Sequence, residues 1–122
     1  VASILVCEDE PDILELIEAR LRREGHDVMT ASNGSDGLRR ALEDGPELVL
    51  LDWMMPGLSG LEVATALRAH PQARTLPIIM LTARAQQNDI DAAYAAGVDD
   101  FLIKPFRTGE LQARVADLLA RA

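Results

Sequence analysis

The chain has 122 residues, 48% of them apolar but only 3% aromatic, enough to bury one aliphatic core. Twenty acidic residues against twelve basic ones leave a net charge of −8, which argues against a nucleic-acid surface, since a phosphate backbone needs clustered Lys and Arg. A single cysteine, Cys7, excludes an internal disulfide; with no membrane-length apolar run and no signal peptide pattern, the expectation is a soluble cytoplasmic domain with no membrane partner.

Residues 3–7 (SILVC) read as a short buried strand, with Cys7 as a small strand residue, and Glu8-Asp9-Glu10 follow directly. Pro11 suits the first turn of a helix, and Leu14, Ile17 and Leu21 then recur at helical spacing until Gly25 stops the run. His26–Ala31 is a second, more polar strand, which suggests an edge position. Asn33 can cap a second helix with Leu38, Ala41 and Leu42 inward, and Gly45-Pro46 breaks it.

Leu48–Leu51 are apolar without alternation, as in a strand buried on both faces; Asp52 follows at once, and Pro56 and Gly57 end regular structure. A third helix uses Gly60, Val63, Ala64 and Leu67 and ends before Pro71. Ile78–Leu81 form the next strand and terminate in Thr82-Ala83. The fourth helix, Asn88–Ala96, is the weakest: its apolar face is only Ile90, Ala93, Tyr94 and Gly97, so it should open locally at low cost. Phe101–Ile103 make a fifth strand, ending in Lys104-Pro105-Phe106, and Leu111, Val115, Leu118 and Leu119 give the last helix its inner face. Strands alternating with amphipathic helices five times over imply an α/β domain with a parallel sheet covered on both faces.

The polar residues that end each strand then converge on one rim, where open α/β sheets bind ligands. These are Glu8 and Asp9, Asp52, Thr82 and Lys104. Taken singly, an acid or a threonine after a strand is a helix cap, and a lysine is a solvated rim charge. Together they form a set. Three acids repel and raise one another's pKa unless a cation lies among them, and a hard divalent ion, Mg²⁺ above all, is the natural occupant. Such a site suits phosphoryl transfer to a carboxylate, with Asp52 as nucleophile, Lys104 neutralising a phosphoryl oxygen and the Thr82 hydroxyl donating to another.

The stretches ILVCEDEPD (4–12), LLDWMMPGLSG (50–60), PIIMLTA (77–83) and AGVDDFLIKPF (96–106) resemble, in order and spacing, the receiver domain of bacterial two-component response regulators. The resemblance covers essentially the whole chain. It implies one receiver domain over 1–122, any output domain lying outside it, and a doubly wound, flavodoxin-like five-stranded sheet of order 2-1-3-4-5 with five helices; that order is a known one for receiver proteins. It implies Asp52 as phospho-acceptor, Glu8 and Asp9 as the acidic metal pocket with Glu8 acting more loosely or through water, the Met54 carbonyl as a further metal ligand, Lys104 as phosphate partner, and a cis Lys104–Pro105 bond. It also implies a switch in which Thr82 moves toward the phosphoryl group and Phe101 turns inward, altering the face of the fourth helix, fifth strand and fifth helix to control an output domain or partner.

The donor is implied to be a phosphohistidine on a sensor histidine kinase or histidine phosphotransfer protein facing Glu15 and Glu18 of the first helix. His26 and His70 of this chain read as solvated. The protein is not a turnover enzyme on this reading; it catalyses its own phosphorylation and a slow self-dephosphorylation, with Met54 and Arg84 hindering water. A homodimer through the fourth-helix face lacks the basic residues that DNA-binding relatives place there, since Gln86–Ala96 holds no Lys or Arg, although Asp99 or Asp100 can meet Arg114 or Arg121. Rival readings are weaker. A phosphatase with a nucleophilic Asp needs a general acid where Met54 stands, a pure binding module does not need the intact polar set, and no Gly-rich phosphate loop follows Cys7.

Overall fold

The computed structural model describes residues 2–84 and 86–121, with only the backbone of Thr108. Five strands and five helices alternate: β1 (Ser3–Cys7), α1 (Pro11–Arg23), β2 (Asp27–Ala31), α2 (Gly34–Glu43), β3 (Leu48–Asp52), α3 (Gly60–Ala69), β4 (Ile78–Thr82), α4 (Gln87–Ala95), β5 (Asp100–Ile103) and α5 (Thr108–Arg121), with a 3₁₀ turn at Pro71–Ala73. All pairings are parallel, and the order is β2-β1-β3-β4-β5, the expected doubly wound arrangement.

The absence of polar alternation in the inner strands has a direct cause: both faces are covered. Leu5, Cys7, Val49, Leu51, Ile78, Met80 and Phe101 point to one core, filled by Ala41 of α2, Val63, Ala64 and Leu67 of α3 and Ala93 of α4. The intervening Ile4, Val6, Leu48, Leu50, Ile79, Leu81 and Leu102 point to a second core under Ile17 and Leu21 of α1 and Leu111, Val115 and Leu118 of α5. Each sheet face therefore needs its own apolar set, and every second residue supplies one of them.

Local signals set the element ends. Asn33 Oδ1 accepts from the Asp36 N–H at 2.8 Å, and Ser59 with Glu62 forms a reciprocal capping box on α3. Gly25 follows α1 at a φ of +92°, a conformation glycine adopts without strain.

The expectations for Tyr94 and His26 are corrected. Tyr94 is not on the inner face of α4; it is 46% exposed and leaves Ala93 as that helix's one fully buried residue. Ile103, the last residue of β5, is 43% exposed. The Arg68 guanidinium donates to the Gly97 and Ala73 carbonyls and to Asp99, tying α3 to the segment before β5. His26 is half-buried, and its Nδ1 accepts from the Ala2 N–H at 3.2 Å. His70 lies exposed at the end of α3.

Candidate functional site

The register places the strand-end residues side by side. Cys7 pairs with Leu51, so Glu8 emerges level with Asp52, and Asp52, the last residue of β3, pairs with Leu81 just before Thr82. Thr82 in turn pairs with Ile103, and the Lys104 N–H donates to the Thr82 carbonyl at 2.8 Å. Residues up to 96 positions apart thereby share one pocket. The strand end carrying Asp52 is braced from both sides: Trp53 N–H donates to the Leu81 carbonyl at 3.0 Å, and Gly60 N–H to the Trp53 carbonyl at 2.8 Å.

Lys104 Nζ lies 2.7 Å from Glu8 Oε1 and 3.3 Å from Asp52 Oδ1. Glu8 is fully buried, and its other carboxylate oxygen accepts from the Glu10 N–H at 3.2 Å. Asp9 stands at the open side of the pocket. Carboxylate oxygens of Glu8, Asp9 and Asp52 lie within 4.8 Å of one another, the one such acidic cluster among the described residues.

Burial raises the Asp52 carboxyl, proton-sharing with Glu8 and the Glu8 charge raise it further, and Lys104 only partly offsets this, so Asp52 is pushed up to about 7. Burial also works to raise Glu8, but Asp52, the Lys104 ammonium and the Glu10 N–H outweigh it and hold Glu8 below the usual range. Burial disfavours the Lys104 ammonium, yet its contacts with Glu8 and Asp52 win, and Lys104 stays charged to higher pH than a free lysine. Three hard oxygen donors around a carboxyl that resists ionisation fit a small divalent cation: a bound ion would replace the proton and relieve the repulsion. Glu8, Asp9 and Asp52 are the side chains that would hold it.

At the mouth, the Met54 side chain is 62% exposed and lines the pocket together with Asp9, Asp52, Thr82, Arg84 and Lys104. Thr82 is buried, and its Oγ1 accepts from the Arg84 N–H at 2.9 Å. Phe101 is only 8% exposed and packs in the α2–α3–α4 core. The Lys104–Pro105 bond is cis, as expected. Cys7 lies beneath the site with its thiol pushed up to about 12 by burial, the inert strand residue that its position implied.

Two features escaped the reading of the residues. Trp53 is 5% exposed beside Asp52, with the Arg84 guanidinium 4.8 Å above its ring centroid, and Arg84 also bridges Asp89 of α4 at 3.2 Å. The only sequence signal was the adjacency of Trp53 to Asp52. Next to the pocket, a cavity of about 390 Å³ is lined by Ile13, Leu16, Ile17, Ala83, Lys104, Pro105 and Phe106.

Acids gathered at the β1–β3 switch point of a doubly wound parallel sheet define a ligand-binding α/β domain of the flavodoxin-like class. Within that class the chain belongs to the response regulator receiver domain family, whose model matches residues 4–116. It is similar to the phosphate regulon transcriptional regulatory protein PhoB of Rhizobium meliloti, 44% identical over 98% of this chain and 53% of that protein. The alkaline phosphatase synthesis transcriptional regulatory protein PhoP of Bacillus subtilis is 42% identical over 98% of this chain and 49% of its own length. The chain thus spans about half the length of these curated relatives.

Among solved structures, a putative response regulator from Chloroflexus aurantiacus superposes with a TM-score of 0.93 at 34% identity, covering 98% of both chains. The receiver domain of the sensor histidine kinase PA1611 from Pseudomonas aeruginosa, with a magnesium ion coordinated in its active-site cleft, gives 0.91 at 35% identity, again over 98% of both. Among the described residues of the present chain, no helix is long and apolar enough to cross a membrane.

Proposed function

We propose that this chain is a phosphorylation-activated signalling switch in which Asp52 accepts a phosphoryl group, in a Mg²⁺-dependent reaction, from a phosphohistidine on a sensor histidine kinase or histidine phosphotransfer protein. The observation that carries this reading is the buried Asp52 carboxylate, with Lys104 Nζ at 3.3 Å and the Glu8 and Asp9 oxygens within 4.8 Å. Family membership and the magnesium-bearing neighbour support it.

An Asp52 oxygen attacks phosphorus, the new O–P bond forms as the N–P bond to the donor imidazole breaks, and the leaving ring nitrogen takes up a proton. When bound, the divalent ion supplies positive charge that offsets repulsion between the two anionic reactants. Glu8, Asp9 and Asp52, with the Met54 carbonyl, would hold that ion. Lys104 stays near Asp52 and neutralises a phosphoryl oxygen, while Thr82 gives up its contact with the Arg84 N–H and donates to another. The domain turns over no external substrate; its own phosphoryl group is finally lost to water.

The apolar cavity next to Lys104 suits the partner. Leu16, 60% exposed on α1, and Phe106 offer a helical donor protein an apolar seat from which its phosphohistidine reaches Asp52. The output surface is α4–β5–α5, where Tyr94 and Ile103 are exposed. Because Arg114 is already paired with Asp100 of the same chain, a second copy docking there would rely on this apolar contact more than on ion pairs. This domain makes no direct nucleic-acid contact in the proposal. Residues 1–122 act as one receiver unit governing an output domain or partner protein.

The deciding experiment is intact mass after incubation with acetyl phosphate and Mg²⁺. One phosphoryl group should be gained by the parent chain and none by Asp52→Asn. An unchanged parent mass would overturn the proposal.

A further inference from the structure

We infer that Arg84 is a positioning residue that transmits the state of Asp52 to the first turn of α4, an inference that rests on the phospho-acceptor reading of Asp52. Arg84 touches three things at once. Its guanidinium lies 4.8 Å above the ring of Trp53, the residue that adjoins Asp52. The same group is 3.2 Å from Asp89 Oδ1, whose side chain is only 14% exposed. Its backbone N–H donates to the Thr82 hydroxyl at 2.9 Å. The side chain also lines the pocket that holds Asp52 and Lys104.

Among the described residues, the first turn of α4 has little else to hold it beyond the partly buried Ile90. Gln86 at its N-cap makes no side-chain capping bond, and Ala93 is the helix's one fully buried residue. The Arg84–Asp89 pair is therefore a tether between the pocket wall and a weakly packed helix.

Phosphorylation changes what the guanidinium prefers. A phosphoryl group brings about two negative charges and acceptor oxygens that match the planar guanidinium fork better than one carboxylate does. Arg84 then leaves Asp89 and turns into the pocket, pivoting on the Trp53 face so that the ring–cation contact persists. Thr82 moving to its own phosphoryl oxygen breaks the bond from the Arg84 N–H, so the two rearrangements assist each other. The first turn of α4 loses its tether and opens. By reciprocity, a partner that draws Asp89 away from Arg84 favours phosphorylation.

The test is amide hydrogen exchange across residues 86–92, with and without acetyl phosphate and Mg²⁺, in the parent, Arg84→Ala and Asp89→Ala chains, alongside intact mass. In the parent, phosphorylation should speed exchange there by about two- to fivefold, the factor that corresponds to loss of one partly exposed ion pair. Arg84→Ala should still gain the phosphoryl group, more slowly, and show fast exchange in both states. Asp89→Ala should likewise show fast exchange in both states, and should be phosphorylated about two- to fivefold faster than the parent because the competing anion is gone. A mass gain with an equal exchange response in Arg84→Ala and the parent overturns the tether alone. Absence of any mass gain in the parent overturns the phospho-acceptor reading, and the tether with it.

Discussion

Asp52 is held in a conflict that either a proton or a bound cation resolves. Its carboxyl, pushed up to about 7 by burial and by Glu8, is most at ease when protonated. A raised acid contributes stability that is complete below the ordinary aspartate range and is lost as pH rises through about 7. Asp52→Asn keeps the shape and removes the charge. In chelator, urea unfolding should find this variant more stable than the parent at pH 8, by about 1–2 kcal/mol, with the difference closing toward pH 4. At the pocket mouth, Met54 is expected to slow the attack of water on the phosphorylated site, so Met54→Asn should shorten the phosphoryl lifetime measured by loss of label. Equal lifetimes would remove Met54 from that role. The acids, Thr82 and Lys104 were legible as strand-end residues because the register of a parallel sheet forces them together. The Lys104–Glu8 ion pair and the Arg84 bridge to Asp89 were not, since long side chains choose partners by local geometry that spacing does not encode.

Among the elements, the β3–α3 connection has little room at Gly60. A Cβ on Gly60 would stand 2.5 Å from the Asp52 carbonyl oxygen and 2.9 Å from Trp53 Cα, both backbone atoms that cannot step aside without moving Asp52. Gly60→Ala should therefore cost about 1–3 kcal/mol in denaturant unfolding and also lower the rate of phosphoryl uptake, whereas an overpacked site elsewhere would affect stability alone. This requirement is hidden in the residue string, where Gly60 reads as an ordinary helix opening. The same holds for Arg68, whose three acceptors come from two other segments, and for Tyr94, which a helical wheel places inward but a short, poorly packed helix leaves outside. Helix and strand identities were legible for a simpler reason: apolar runs of period one or of helical spacing have few ways to be buried.

At the scale of the molecule, two apolar layers flank one sheet, and its carboxyl rim gathers the chemistry. The layers were legible because both must be filled from alternate residues of the same strands; the groove between α1 and the β5–α5 connection was not, because it is made by elements far apart in the chain. Leu16→Asp should separate the two routes to Asp52. Uptake from a phosphohistidine protein should fall by about tenfold or more, as for loss of a buried apolar anchor, while uptake from acetyl phosphate stays near the parent rate. Equal loss from both donors would show that the substitution harms the pocket itself. Finally, Lys104, 16% exposed and clasped by Glu8 and Asp52, is the only lysine in the sequence. Acylating reagents aimed at side-chain amines have a single target here, and it is kept as a shielded ammonium with no lone pair to offer. The rate at which such a reagent marks the chain is then a direct clock for the opening of the clasp.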